Sequence, residues 1–292
     1  MHKYLRAVGF SKIDTREKLQ SIIELTIKKA QERFYTSYED ENVIVAEYIK
    51  SFAPGMGLTV CGEIGKDDRF ILDYCFPFFR SDAISSCEKV SIERHAANIS
   101  FAGVLDDERV GITIIFYLQN RIPYIIRKNT NSLTKDVTNL SLTGLSIEGT
   151  IMMPLLKKPS EVKKANENKK SRNKLVEAAK NGDEDAMESL TLREMDMYSQ
   201  ISLKIKDNDI YTLVDTYFMP YGVECDQYSV LGEILEVRTV KNGLTDEEVY
   251  QMLLLCNEMR ISICINKADV LGEPEVGRRF KGTLWLQGYI NY

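Results

Sequence analysis

The chain has 292 residues and a formal net charge of −5, with 44% of residues hydrophobic and 28% charged. That length fills two cores of ordinary size, so two domains are expected in an ordinary globular composition. No apolar run approaches bilayer length, and charge comes too early after Met1 for a signal peptide, which points to a cytoplasmic protein without a membrane partner.

Tyr4 to Phe10 reads as a short strand. Asp14 or Thr15 then supplies a helix cap, and Leu19, Ile22, Ile23, Ile27 and Ala30 recur at helical spacing as far as about Arg33. Short β runs follow at Val43–Phe52, Leu58–Ile64 and Arg69–Phe79, separated by the turn signals Pro54–Gly57 and Gly65–Asp68. Val90–Arg94, Ile99–Leu105 and Val110–Leu118 continue the pattern, with Pro123–Arg127 and Leu145–Met152 as further candidate strands. Residues 1–156 are therefore expected to form an α+β domain, one helix against an antiparallel sheet.

Residues 157–174 hold 8 Lys+Arg against 2 Asp+Glu and read as a lysine-rich linker. A helical connector is expected over 175–209, where Asn181-Gly182 stops one helix and Asp183 caps the next. Strand character returns at Ile210–Phe218 and opens a C-terminal domain, 210–292. There Tyr228–Ile234 carries Gly232 in mid-strand, the mark of a bulge, and Val249–Cys256 is apolar enough for burial on both faces. Arg260–Ile265 and Phe280–Ile290 alternate strictly. Together these strands predict a small antiparallel barrel of OB or SH3-like kind.

The segments Lys3–Phe10, Met219–Tyr228, Gly277–Gly282 and Trp285–Tyr289 carry a resemblance. Through them the whole chain resembles a family of uncharacterised full-length proteins from anaerobic Gram-positive bacteria, catalogued as a domain of unknown function. The resemblance implies a bacterial cytoplasmic protein and brings no activity, cofactor or catalytic residue with it.

Catalytic motifs are wanting. No nucleophile elbow, Walker loop, dinucleotide fingerprint or HExxH occurs, so no cofactor or metal is expected. The six cysteines lie mostly in apolar runs without CxxC spacing and read as reduced, buried side chains. Histidine occurs only at positions 2 and 95. The leading expectation is a non-catalytic binding or adaptor protein, its contact face made by Lys281, Trp285, Gln287 and Tyr289 with Arg278 and Arg279 just before them. A second polar cluster is Tyr221, Glu224, Cys225 and Asp226, which makes a thiol- or carboxylate-dependent hydrolase or transferase the alternative. The expected partner is a protein or a small polar ligand. A nucleic-acid-binding protein, with Trp285 stacking and the linker lysines on phosphate, is the second alternative, disfavoured because residues 175–292 hold 11 Lys+Arg against 21 Asp+Glu.

Overall fold

The structure is a computed structural model that describes residues 2–38, 40–94, 100–107, 109–130, 132, 139–154 and 214–292, and positions 171, 174–175, 178–179 and 182–192. Two compact units result: Met1–Met153 with Thr216–Tyr292, and Pro154–Asp215. In the second, a helix over 184–192 starts where the sequence signals it. Asp183 Oδ1 accepts from the Ala186 N–H at 3.1 Å, directly after Gly182 at φ +87°. Almost all of the expected linker and much of the connector lie outside the described residues.

The first unit opens with a 3₁₀ helix, Lys3–Val8, where a strand was expected. Gly9 is the reason. It sits in the left-handed region at φ +83° and donates its N–H to Arg6 O at 3.1 Å, closing a helical turn that an extended chain could not make. Helix α1 (Arg16–Lys28) follows, capped by Thr15, which accepts from the Lys18 N–H.

Strands β1 (Glu32–Tyr38), β2 (Asp40–Ala53), β3 (Met56–Ile64) and β4 (Phe70–Phe79) form an antiparallel meander, with α1 packed on it through Ile22 and Ile23. Strand β1 replaces the expected end of the helix. Next come β5 (Val90–Arg94), β6 (Phe101–Asp107) and β7 (Ile112–Leu118). Helix α2 (Arg121–Asn129) then occupies the expected strand Pro123–Arg127. Pro123 is its third residue, in the first turn, where the missing N–H leaves no hydrogen bond unmade.

Strand β8 (Asn139–Met152) ends the N-terminal half. After residue 216 come β9 (Tyr217–Pro220), β10 (Gln227–Lys241), β11 (Glu248–Cys256), β12 (Met259–Asn266), a 3₁₀ turn at Lys267–Asp269, β13 (Val270–Leu271) and β14 (Arg279–Asn291). The fold is mixed, mostly strands with few helices, and its pairings are largely antiparallel.

Strands β5 to β14 share one ten-stranded sheet. Within it β8 pairs β12, β12 pairs β11, β11 pairs β10, β10 pairs β14, and β14 returns to β8, so these pairings run in a closed circuit. Only β8–β12 is parallel among them. The expected division between 1–156 and 210–292 is therefore bridged by continuous backbone hydrogen bonding. β14 matches Asn139–Met152 along nearly its whole length, and a strand lacking either partner would leave unpaired edge groups. The bulge foreseen beside Gly232 falls between Ile234 and Glu236, where the β10–β11 register shifts.

Period-two alternation sorts these strands between two cores. Phe280, Leu284, Leu286 and Ile290 of β14 join Leu140, Leu142, Val230, Ile234, Met252, Leu254, Ile261 and Ile263 in the first. Trp285, Leu145, Val249 and Cys264 face the other way, against Tyr4, Val8, Phe10, Leu58, Phe76 and Phe78 in the second. The N-terminal helix is pinned there by buried Asn242, which donates to Val8 O at 2.8 Å and accepts from the Leu244 N–H at 2.9 Å.

Candidate functional site

The outer face of β14 was expected to be one continuous contact surface. The structure divides it at Trp285. The indole is only 6% exposed, stacked on Tyr4 with ring centroids 5.5 Å apart and flanked by His2 at 4.5 Å and Tyr117 at 5.3 Å. Its Nε1 donates to Asp226 Oδ2 at 2.8 Å. Gln287 is fully buried, donating to Pro77 O at 2.8 Å and accepting from Gln119 Nε2 at 2.8 Å. Tyr289 lies under the Arg80 guanidinium, 5.2 Å from the ring centroid. Arg279 is buried and donates to Met153 O, while Arg278 donates to Glu273 O and pairs with Glu275 at 2.9 Å. The indole is thus covered by the N-terminal 3₁₀ helix and by Tyr117 of β7 in its own sheet, which leaves it no face for a ligand.

Lys281 and Thr283, farther back on β14, are half-buried. They line a cleft of about 640 Å³ with Glu148 and Thr150 of β8, Leu271 of β13, and Tyr221. Two features of the chain open it. The β8–β14 register slips between Gly282 and Leu284, and Gly282 lets the strands approach so closely that a Cβ there would lie 2.7 Å from Glu148 O. Thr283 is thereby placed to donate to Glu148 Oε1 at 3.1 Å. Asp269 forms part of the lining and is held by Arg6, whose Nε donates to Oδ2 at 2.7 Å.

The second sequence cluster turns out to border the first. Tyr221 is half exposed in the cleft, and its N–H donates to Gln227 O at 2.9 Å. Asp226 turns to Trp285, Glu224 accepts from Gln227 Nε2, and Cys225 is exposed. The Tyr4 phenol feels them together. Burial raises its pKa above the ordinary value, and the negative charges of Glu224, Asp226 and Glu148 raise it further.

Four of the six thiols are held back by burial, while Cys87 and Cys225 are exposed. Burial pushes Cys75 up to about 11 and Cys256 up to about 12, and raises Cys61 and Cys264. His95 lies outside the described residues. Among the described residues no group of three or more His, Cys, Asp or Glu side chains could hold a metal ion.

One polar cluster went unforeseen. Arg121 of α2 pairs through Nε with Glu47 of β2, both side chains 1% exposed, and its guanidinium lies 5.4 Å from the centroid of the Tyr74 ring. Tyr117 donates to the Tyr74 hydroxyl at 3.2 Å. Burial drives the Glu47 carboxyl above its ordinary range against the pull of Arg121. Its signal was present: Val45, Glu47 and Ile49 share one strand face, and a lone carboxylate between apolar neighbours calls for a buried cation.

No curated protein and no solved structure matches the chain. Residues 5–288 match the model of a family described as a domain of unknown function from E. rectale (DUF3881), and the chain belongs to that family.

Proposed function

We propose that the protein is a non-catalytic cytoplasmic binding or adaptor protein, with its contact surface in the cleft of Lys281 and Tyr221. The circuit β8–β12–β11–β10–β14 is read as a small barrel of OB or SH3-like kind, completed by a strand from the N-terminal half. A rigid frame of this kind suits recognition, since a preformed cleft lowers the ordering cost of binding. The observation that carries the reading is the division of the β14 face. Its aromatic half is sealed by the N-terminal helix, and its Lys281–Thr283 end lines the cleft with Glu148 and Tyr221. The alternative, a thiol- or carboxylate-dependent hydrolase or transferase, would rest on exposed Cys225 beside Glu224 and Asp226, since burial raises Cys75 and Cys256.

The ligand this cleft favours is an extended protein segment with a cationic side chain, its apolar part resting on Tyr221 and Leu271, 48% and 72% exposed. An array of short peptides of graded charge, read by fluorescence anisotropy, tests this. Lysine- or arginine-bearing peptides should bind, and Tyr221→Ala and Glu148→Gln should each weaken binding about tenfold, or ~1.4 kcal/mol. Equal binding by neutral and basic peptides, or affinity untouched by both substitutions, would refute the assignment.

A further inference from the structure

A second hollow, of about 720 Å³, lies between the segment after β4 and the outer face of β10, β11 and β12. It shares no lining residue with the Lys281 cleft. Its walls are tied together repeatedly. Gln251, 3% exposed, donates to Pro54 O at 2.8 Å and accepts from Arg238 Nε at 2.7 Å. Ser262 Oγ bonds Ser81 Oγ at 2.8 Å, and the Arg80 N–H donates to Gly55 O at 2.6 Å.

The charges facing the hollow are treated differently. Arg80 is engaged by Glu32 at 2.7 Å. Arg260, by contrast, has no ion-pair partner among the described residues, and Arg238 uses only Nε. Asp82 and Glu236 are likewise unpaired among the described residues. A chain that fastens its walls with four such hydrogen bonds and leaves guanidiniums open between them has a ready-made oxyanion cradle.

Register supplies the scale. Arg238 lies opposite Gln251, which lies opposite Cys264, four residues along β12 from Arg260. The two arginines thus stand two strands apart and four residues apart, a Cα diagonal of roughly 16 Å at ordinary strand spacing. Two extended arginine side chains nearly close such a span, leaving room for one tetrahedral or planar oxyanion between forks.

We propose that this hollow binds a small polar metabolite through an oxyanion held by Arg238 and Arg260. Asp82 and Glu236 receive a donor or cationic group at the ligand's other end. Phosphate and carboxylate share the recognition chemistry, and pyrophosphate and citrate serve as the two probes. In isothermal titration of the full chain at low salt, at least one probe binds. Arg260→Gln weakens that binding tenfold or more, whereas Lys281→Gln, in the separate cleft, leaves it unchanged. Arg260 is exposed and unpaired, so its substitution does not threaten folding, and it carries the test even if Arg238→Gln misfolds. Absence of heat with both probes overturns the proposal, as does equal affinity in Arg260→Gln. Loss of binding in Lys281→Gln would assign the anion to the other cleft instead.

Discussion

His2 offers the sharpest test of how the N-terminal helix seals Trp285. Its ring lies 4.5 Å from the indole centroid, and its Nδ1 is buried with no hydrogen-bond partner among the described residues. Burial, aided by the charge of Lys3, lowers its pKa from 6.5 to about 4. In the unfolded chain the imidazole takes its proton near the ordinary value. The folded pKa is the lower one, so the stabilisation is complete above pH 6.5 and is lost as pH falls toward 4. At pH 5 the unfolded ring is almost fully protonated and the folded ring only about one-tenth so, which integrates to roughly 2 kcal/mol. The ring is partly exposed, and local lifting of the helix relieves some of this, leaving about 1 kcal/mol as the expected loss. Urea unfolding at pH 7.5 and pH 5, followed by emission of the chain's single tryptophan, measures it directly. His2→Phe keeps an aromatic ring against the indole but cannot be protonated. The wild type should therefore lose about 1 kcal/mol more than His2→Phe over that interval. Identical losses in the two proteins would refute the buried, neutral imidazole.

Two further expectations concern buried polar groups. Glu47→Ala strands the charge of Arg121 between the sheets and should cost about 3–5 kcal/mol in urea unfolding, while Glu47→Leu with Arg121→Met should recover most of it. Asn242→Ala removes the amide that fastens Val8 to the β10–β11 turn and should cost about 1–3 kcal/mol, with Trp285 becoming more accessible to iodide.

Much of the fold was legible because side-chain periodicity records which way a strand faces. The alternation from Phe280 to Ile290 separates the two faces as the structure does, and Thr15 and Asp183 cap helices where the sequence places them. Periodicity does not record what lies opposite. Trp285 is covered by His2, Tyr4 and Tyr117, residues that no local pattern connects to β14. The same limit explains β8. Its β14 and β12 partners lie beyond the whole of Pro154–Asp215, and a parallel neighbour needs only a crossover of sufficient length, which leaves no mark on either strand.

The candidate site divides along the same line, and its chemistry says which half stays open. Lys281 and Gln287 share a face six residues apart, yet only the amide is buried. A glutamine can satisfy both its groups inside the protein, as it does with Pro77 and Gln119, and then burial costs little. A lysine ammonium in that position would need a buried carboxylate as well, the solution adopted for Arg121 with Glu47. Arg279, on the same face, is buried as well with its guanidinium donating to Met153 O, so a satisfied polar group and not neutrality alone closes a position, while Lys281 and Thr283 lie half-buried along the cleft. On that reasoning Lys281→Leu should leave stability unchanged and, by removing a like charge, strengthen binding of lysine- or arginine-bearing peptides in the anisotropy assay, whereas Gln287→Lys should unfold the protein.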